Sequence, residues 1–191
     1  MFNKNKIKAV GVYKFVKRDK DGNIVPLWQE NAIGSLLLKY LKKEIHLPFI
    51  TGGMVLEYRK KNLVVNTGLA SISDLLGNVD SITAFSYIGL GTSNTAASAA
   101  QTTLVAEISA DGLERAQGTV TQEDTNVTDD TLQIVKTFTY TGSGSTSIQE
   151  VGVFNAASDG LMYSRSVVTA KTVDTSGETL TVTYQTYFEN A

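Results

Sequence analysis

The second half of the chain alternates, and that alternation limits what it can fold into. Leu132, Ile134, Lys136, Phe138 and Tyr140 share one face of an extended strand, and Leu180, Val182, Tyr184, Thr186 and Phe188 share one face of another. In a β-strand successive side chains point to opposite sides, so each segment has one face for a core and one for water. Further strands are predicted at residues 85–91, 113–122, 148–155 and 161–168, with turn clusters at 123–126, 142–145, 156–160 and 174–177. No helical period falls between them. Five or six antiparallel strands at this spacing predict a two-sheet β-sandwich of about 110 residues.

The first 82 residues read differently. A hairpin is expected over 7–30, turning at Asp19-Lys20-Asp21-Gly22-Asn23, with Pro26 at an edge or an interruption because it lacks an amide hydrogen. Asn31 can cap a helix whose Ile33, Leu36, Leu37, Tyr40, Leu41 and Ile45 recur at three- and four-residue steps, leaving Lys39, Lys42, Lys43 and Glu44 on the other face. Residues 49–58 read as a loop and a strand. A second helix is expected from a cap at Asn66 or Thr67, through a stripe of Leu69, Ile72, Leu75 and Leu76, to a stop at Gly77-Asn78. The expected architecture is mainly β: a basic α+β subdomain at 1–62, a connecting helix at 63–82 and an acidic antiparallel β-sandwich at 83–191.

Charge supports that division. Residues 1–62 carry 13 Lys and Arg against 5 Asp and Glu, and residues 63–191 carry 4 against 14, although the whole chain is only -2. A basic part facing something acidic, and an acidic part facing water, would produce such a split. An acidic protein surface is the favoured partner. Nucleic acid is the weaker one, because no base-stacking aromatics or groove-reading helix accompany the lysines. The residues expected to meet the partner are Lys39, Lys42, Lys43, Arg59, Lys60 and Lys61.

Common catalytic chemistries find little material. With no Cys and a single histidine, His46, the chain offers no disulfide framework, no thiolate metal site and a poor basis for a Ser-His-Asp triad. His46 is expected to end the first helix as a dipole-favoured cation. Gly89-Leu90-Gly91-Thr92-Ser93 lacks the lysine ending of a phosphate loop and reads as a strand end. Glu123-Asp124 and Asp129-Asp130 lack the ligand order of a calcium loop and read as solvated turns. Glu150 sits among apolar neighbours, so an inward carboxylate would need a guanidinium from Arg115 or Arg165. No enzyme activity, metal or cofactor is expected. Neither a secretory core nor a membrane-length apolar run is present in the sequence.

Short motifs carry a resemblance. Residues 62–76 (NLVVNTGLASISDLL), 87–93 (YIGLGTS), 103–108 (TLVAEI), 148–155 (IQEVGVFN), 161–165 (LMYSR) and 177–184 (GETLTVTY) resemble a family of tailed-bacteriophage virion proteins. Members are tail, collar, fibre or other structural proteins of the particle. The resemblance covers roughly residues 62–190 and implies a non-enzymatic, homo-oligomeric building block that contacts other virion structural proteins after assembly in the host cytoplasm. No functional residue is carried over, because the matching motifs are strand and turn patterns. A rival reading is a glycan-binding adhesion domain, with Tyr87, Tyr140, Tyr163, Tyr184 or Tyr187 stacking on sugar rings. A glycan-cleaving enzyme would need a second placed carboxylate that the sequence does not identify.

Overall fold

The alternating segments become two antiparallel sheets packed face to face, in a computed structural model that describes residues 7–41 and 44–190. One sheet contains β1 (Ile7–Arg18), β2 (Ile24–Val25), β5 (Tyr58–Lys61), β9 (Thr119–Glu123), β10 (Thr131–Thr139) and β13 (Thr179–Asn190), in the order β2-β1-β13-β10-β9, with β5 also on β1. The other contains β6 (Leu63–Val64), β7 (Tyr87–Gly91), β8 (Ala116–Gln117), β11 (Thr146–Phe154) and β12 (Met162–Val173), in the order β6-β12-β11-β7-β8. A separate hairpin pairs β3 (Leu27–Glu30) with β4 (Gly52–Val55). The helices are α1 (Ala32–Leu41) and α2 (Asn66–Gly77). The protein is therefore mainly β and sandwich-like, as the strand spacing predicts.

The division at residue 62 is corrected. β1 pairs with β13 along its whole length, from Ile7↔Asn190 to Arg18↔Thr179, so the basic first strand is part of the sandwich. Its inward face carries Tyr13 and Phe15, both fully buried, while Lys8, Lys14 and Arg18 alternate onto the other face. A charge count cannot see that division, because a strand holds core and cations in one segment. The predicted hairpin forms only at Lys17↔Val25 and Arg18↔Ile24, after which Pro26 ends the pairing and β3 leaves for β4.

Single strands cross between the sheets at both sides. β5 runs into β6 through Asn62, whose amide donates to the Gly11 carbonyl at 3.1 Å. The predicted strand at 113–122 is split into β8 and β9 at Gly118, whose amide donates to Ser86 at 2.8 Å, so its halves belong to different sheets. Strands that switch sheets make the corners of a sandwich. Between the sheets, Tyr13 faces its register partner Tyr184 with ring centroids 4.9 Å apart, Phe15 meets Tyr58 edge-on at 5.8 Å, and Ile88, Leu90, Val151 and Val153 fill the opposite side. Each such buried side chain contributes roughly 1.5–3 kcal/mol.

Glu150 is inward, and of its two expected partners the structure selects Arg165. The Arg165 Nε donates to Glu150 Oε2 at 2.8 Å, and both side chains are wholly buried. Glu150 also accepts the amides of Val105 and Ala106 at 3.1 and 2.7 Å, while the guanidinium reaches the Thr95 carbonyl and Gln101 Oε1. This pair therefore pins the small-residue loop after β7 onto the second sheet. Arg115 instead pairs with Glu107 and lies 3.5 Å over the Phe154 ring.

Arg165→Met strands a buried carboxylate and should lower the unfolding free energy in urea by about 3–5 kcal/mol. Replacing both partners, Glu150→Leu with Arg165→Met, should recover part of that loss while leaving residues 95–106 more sensitive to protease.

Candidate functional site

Asn31 begins α1 as predicted, its Oδ1 accepting the amides of Ile33 and Gly34 at 3.0 Å. Its own amide and side-chain nitrogen donate to the carbonyls of Thr51 and Ile50, which lays the helix beside the turn before β4. At the contact stands Gly34, where a Cβ would collide with the Thr51 carbonyl oxygen. The helix is thus seated on its Gly34-Ser35 side, and Ile33, Leu36, Tyr40 and Leu41 face outward, each more than half exposed.

The second helix repeats this arrangement. Gly68 and Ser71 are its buried residues; Gly68 abuts the Tyr163 backbone so closely that a Cβ would not fit, and the Thr67 hydroxyl donates to the Met162 carbonyl. That hydroxyl is spent on β12, and Val65 occupies the N-cap, so neither predicted cap, Asn66 or Thr67, forms. The stop at Asn78 is as predicted, in the left-handed region at φ 48°. Ile72 packs on the core, but Leu69, Leu75 and Leu76 face solvent, Leu76 at 85% exposure. The leucines of both stripes are thus turned to solvent, while Ile72 of the second stripe is turned to the core.

The turn beside α1 adds apolar surface that the sequence reading missed. Phe49 is 99% exposed and holds φ 66°, a left-handed conformation unfavourable for a residue with a Cβ. Hydrogen bonds lock it there: Phe49 and Gly52 bond through the backbone, Thr51 donates its amide to Leu47, and the Thr51 hydroxyl bridges Ile45 and Leu47. Ile50, Met54 and Leu56 are also more than half exposed. Exposed apolar side chains in such number on one segment are what interaction surfaces carry. The signal available in the sequence was the Gly-Ser pair opposite the leucines, which lets a helix sit down on the wrong side for its stripe.

The six expected cations separate. Lys42 and Lys43 lie outside the described residues, and Lys39 lies on α1 with its side chain outside them. Arg59 and Lys61 are exposed on β5, in register with Lys14 and Val12 of β1; Lys14 opposite Arg59 places like charges side by side on one sheet face. Arg59 is relieved by Glu57 at 2.6 Å. Lys60 is withdrawn from any partner surface, because it pairs with the buried Glu30, which also accepts the Tyr58 hydroxyl at 3.0 Å. His46 does not close α1, since residues 44–47 are not helical; it stacks on Trp28 with centroids 4.5 Å apart, its Nε2 3.2 Å from Glu44.

Lys171 is the chemically unusual group. It is fully buried, 3.4 Å from the Tyr58 ring centroid, and donates to the Thr169 carbonyl at 2.8 Å. Burial drives its amine down to about 7, against the opposing pull of Glu30 and Glu44. Enclosure leaves it a fastening between β12 and the β3 segment, not a nucleophile that a substrate could reach. An open depression of ≈ 380 Å³ lies between α1 and the loop after β7, but its Lys60 and Arg165 are already committed to Glu30 and Glu150. Asp130 is spent on its own turn: desolvation raises its carboxyl, but the amides of Asn126, Val127 and Thr125 and the Thr131 hydroxyl together hold it at about 2. Among the described residues no group of three or more His, Asp or Glu is placed to hold a metal ion. Of the tyrosines considered for sugar stacking, Tyr140, Tyr163 and Tyr184 are buried. None of the helices among the described residues is long and apolar enough to cross a membrane.

No protein-family model, curated protein or solved structure matches this chain.

Phe49→Gly relieves the left-handed backbone and should leave stability unchanged or raised by up to about 1 kcal/mol, while binding of a fluorescent apolar dye falls. A drop in stability would show that Phe49 belongs to the fold rather than to the surface. Lys171 supplies a pH test. Its amine titrates near 7 in the fold and near 10.5 once released, so unfolding takes up a proton between those values and stability rises with pH across that window. The advantage of Lys171→Met over wild type in thermal unfolding should therefore shrink from about pH 7 to about pH 10; a constant difference would mean that the amine stays charged when buried.

Proposed function

We propose that the protein is a non-enzymatic structural component of a bacteriophage virion, at a tail, collar or fibre-attachment position or as a capsid decoration. It attaches through the basic N-terminal part of the chain, assembles with itself or with other virion proteins, and is built into the particle in the host cytoplasm. The observation that carries this reading is the outward apolar surface of α1 and its neighbouring turn, with Ile33, Leu36, Leu41, Phe49, Ile50 and Met54 each more than half exposed. A surface of that kind is costly for a free protein and useful to one that spends its life against neighbours. The virion motifs supply the kind of assembly, and many copies on one scaffold would make individually modest contacts hold.

Two features weigh against the rivals. A glycan-binding domain needs accessible rings, and three of the candidate tyrosines are inside. A hydrolase needs convergent reachable acids; Glu150 and Glu30, the acids in apolar surroundings, are closed in and paired. The attachment residues are accordingly revised to Lys14, Arg59 and Lys61 on the sheet face, with Lys39, Lys42 and Lys43 retained from the sequence and Lys60 assigned to the fold.

Lys14→Glu, Arg59→Glu and Lys61→Glu together should reduce the number of copies recovered in purified particles, and the wild-type contact should weaken as salt rises, since exposed charge is screened within about 10 Å at 0.1 M. Lys60→Ala should instead lower the melting temperature. Normal recovery of the triple variant at every salt concentration would overturn attachment through this face.

A further inference from the structure

We propose that the β3–β4 pair and residues 44–51 before β4 form a strap, rooted at the Leu27↔Val55 rung, that lifts from the side of β12 and closes on it again with the Lys171 amine as its proton-linked catch. The strap belongs to neither main sheet. Leu27 is buried in the core and Val55 packs on it, but beyond that rung none of the described residues from 28 to 54 joins either apolar cluster. A segment with so little apolar burial stands at the low end of local stability.

Polar fastenings tie the strap to the sandwich. Where β12 bulges between the pairs Glu150↔Val167 and Ile148↔Lys171, the Ala170 amide donates to the Glu44 carboxylate instead of to a neighbouring strand. The Thr169 hydroxyl donates to the Trp28 carbonyl at 3.2 Å, and the Arg59 amide of β5 donates to Gln29 Oε1 at 2.7 Å. The turn bearing Phe49 travels with the strap, because the Asn31 amide after β3 donates to the Thr51 carbonyl.

Lys171 lies where these fastenings converge, its amine donating to the Thr169 carbonyl at 2.8 Å and the Trp28 carbonyl at 3.4 Å. Facing it are Glu30 from β3, Glu44 with His46 beside it, and Tyr58 and Lys60 from β5; β11 offers the apolar Ile148. Lys17 of β1 and Glu178 pair next to Thr172, one residue along. Enclosure holds the amine down at about 7, against the pull of Glu30 and Glu44 and with the push of Lys60. Lifting the strap lets water in and returns the amine toward 10.5. Opening therefore takes up a proton between those values, so closure strengthens as pH rises through that window and is indifferent to this amine below it. The apolar turn is thus held more firmly in base and more loosely toward neutral pH.

The test is amide hydrogen exchange by NMR on the full chain. Ala170 and Arg59 report the strap, since their acceptors ride on it, and Val151 and Val153 in the central strand β11 report global unfolding. The first two should exchange at least ~10-fold faster than the second two. Glu44→Ala removes one fastening and should speed Arg59, which is held by a different one, by about tenfold while Val151 and Val153 keep their rates. Exchange is catalysed by hydroxide, and proton uptake on lifting cancels that catalysis. From about pH 7 to about pH 9.5 the wild-type rates at Ala170 and Arg59 should stay nearly level, whereas in Lys171→Met they should climb about tenfold per unit. Any of three results overturns the strap and its catch: Ala170 and Arg59 no faster than Val151 and Val153, Arg59 unmoved by Glu44→Ala, or wild-type rates that climb with pH as steeply as those of hydroxide catalysis alone. The first two need only wild type and an exposed-side variant, so they stand even if Lys171→Met does not fold.

Discussion

The space between two packed sheets is limited, and here strands and loops fill nearly all of it. The main core is built from Tyr13, Phe15, Tyr58, Ile134, Phe138, Val151, Val182, Tyr184 and their neighbours, and among the described residues the only helical one packed against it is Ile72. Once β1 lies on β13 and supplies two aromatics, no volume remains for the leucines of α1 and α2. Protein interiors are close-packed, so an added side chain would need a displaced one. The helices consequently rest on glycine and serine at the outside of the sandwich. Their apolar faces are a consequence of a core that is complete without them.

Polar groups inside the protein have a complementary role. Glu150 with Arg165 ties down a loop, and Lys171 with Tyr58 and Thr169 fastens the β3 segment; neither arrangement is the cheapest way to stabilise a core, since a buried pair rarely outperforms well-packed hydrocarbon. Each instead fixes the position of a segment with little apolar surface to anchor itself. The loop near Thr95 and Gln101 is a run of small residues, and the segment around Trp28 and Glu44 carries α1. The outward surfaces are thereby presented on a defined frame.

The sandwich was legible because strand alternation reports burial directly: the faces read for 132–140 and 180–188 are the faces that pack, apart from the exposed Phe188 at the end of β13. Asn31, Pro26 and Asn78 were legible for a similar reason, each acting on its own few residues of backbone. The guanidinium beside Glu150 was narrowed to two candidates, and topology chose between them by placing Arg165 next to Glu150 across β11 and β12. What could not be read is long-range. Periodicity shows that Leu69, Ile72, Leu75 and Leu76 share a helix face, but not whether the protein or its neighbour covers it. Charge along the chain likewise says nothing of Lys60 turning inward to Glu30 while Lys61 turns outward.

The corners made at Asn62 and Gly118 bear on how such a protein survives crowding. A sheet edge offers bare amides and carbonyls on which a stranger's strand can grow, and that growth is indiscriminate and hard to undo. Here the sheets are stitched at both sides, and along β12 the free amides of Thr169 and Ala170 are met by the Tyr58 hydroxyl and the Glu44 carboxylate. Template-driven growth is thus discouraged along β12, and the bare edge that remains is the short, polar β9, where Thr119, Thr121, Gln122 and Glu123 offer little for a stranger's strand to bury.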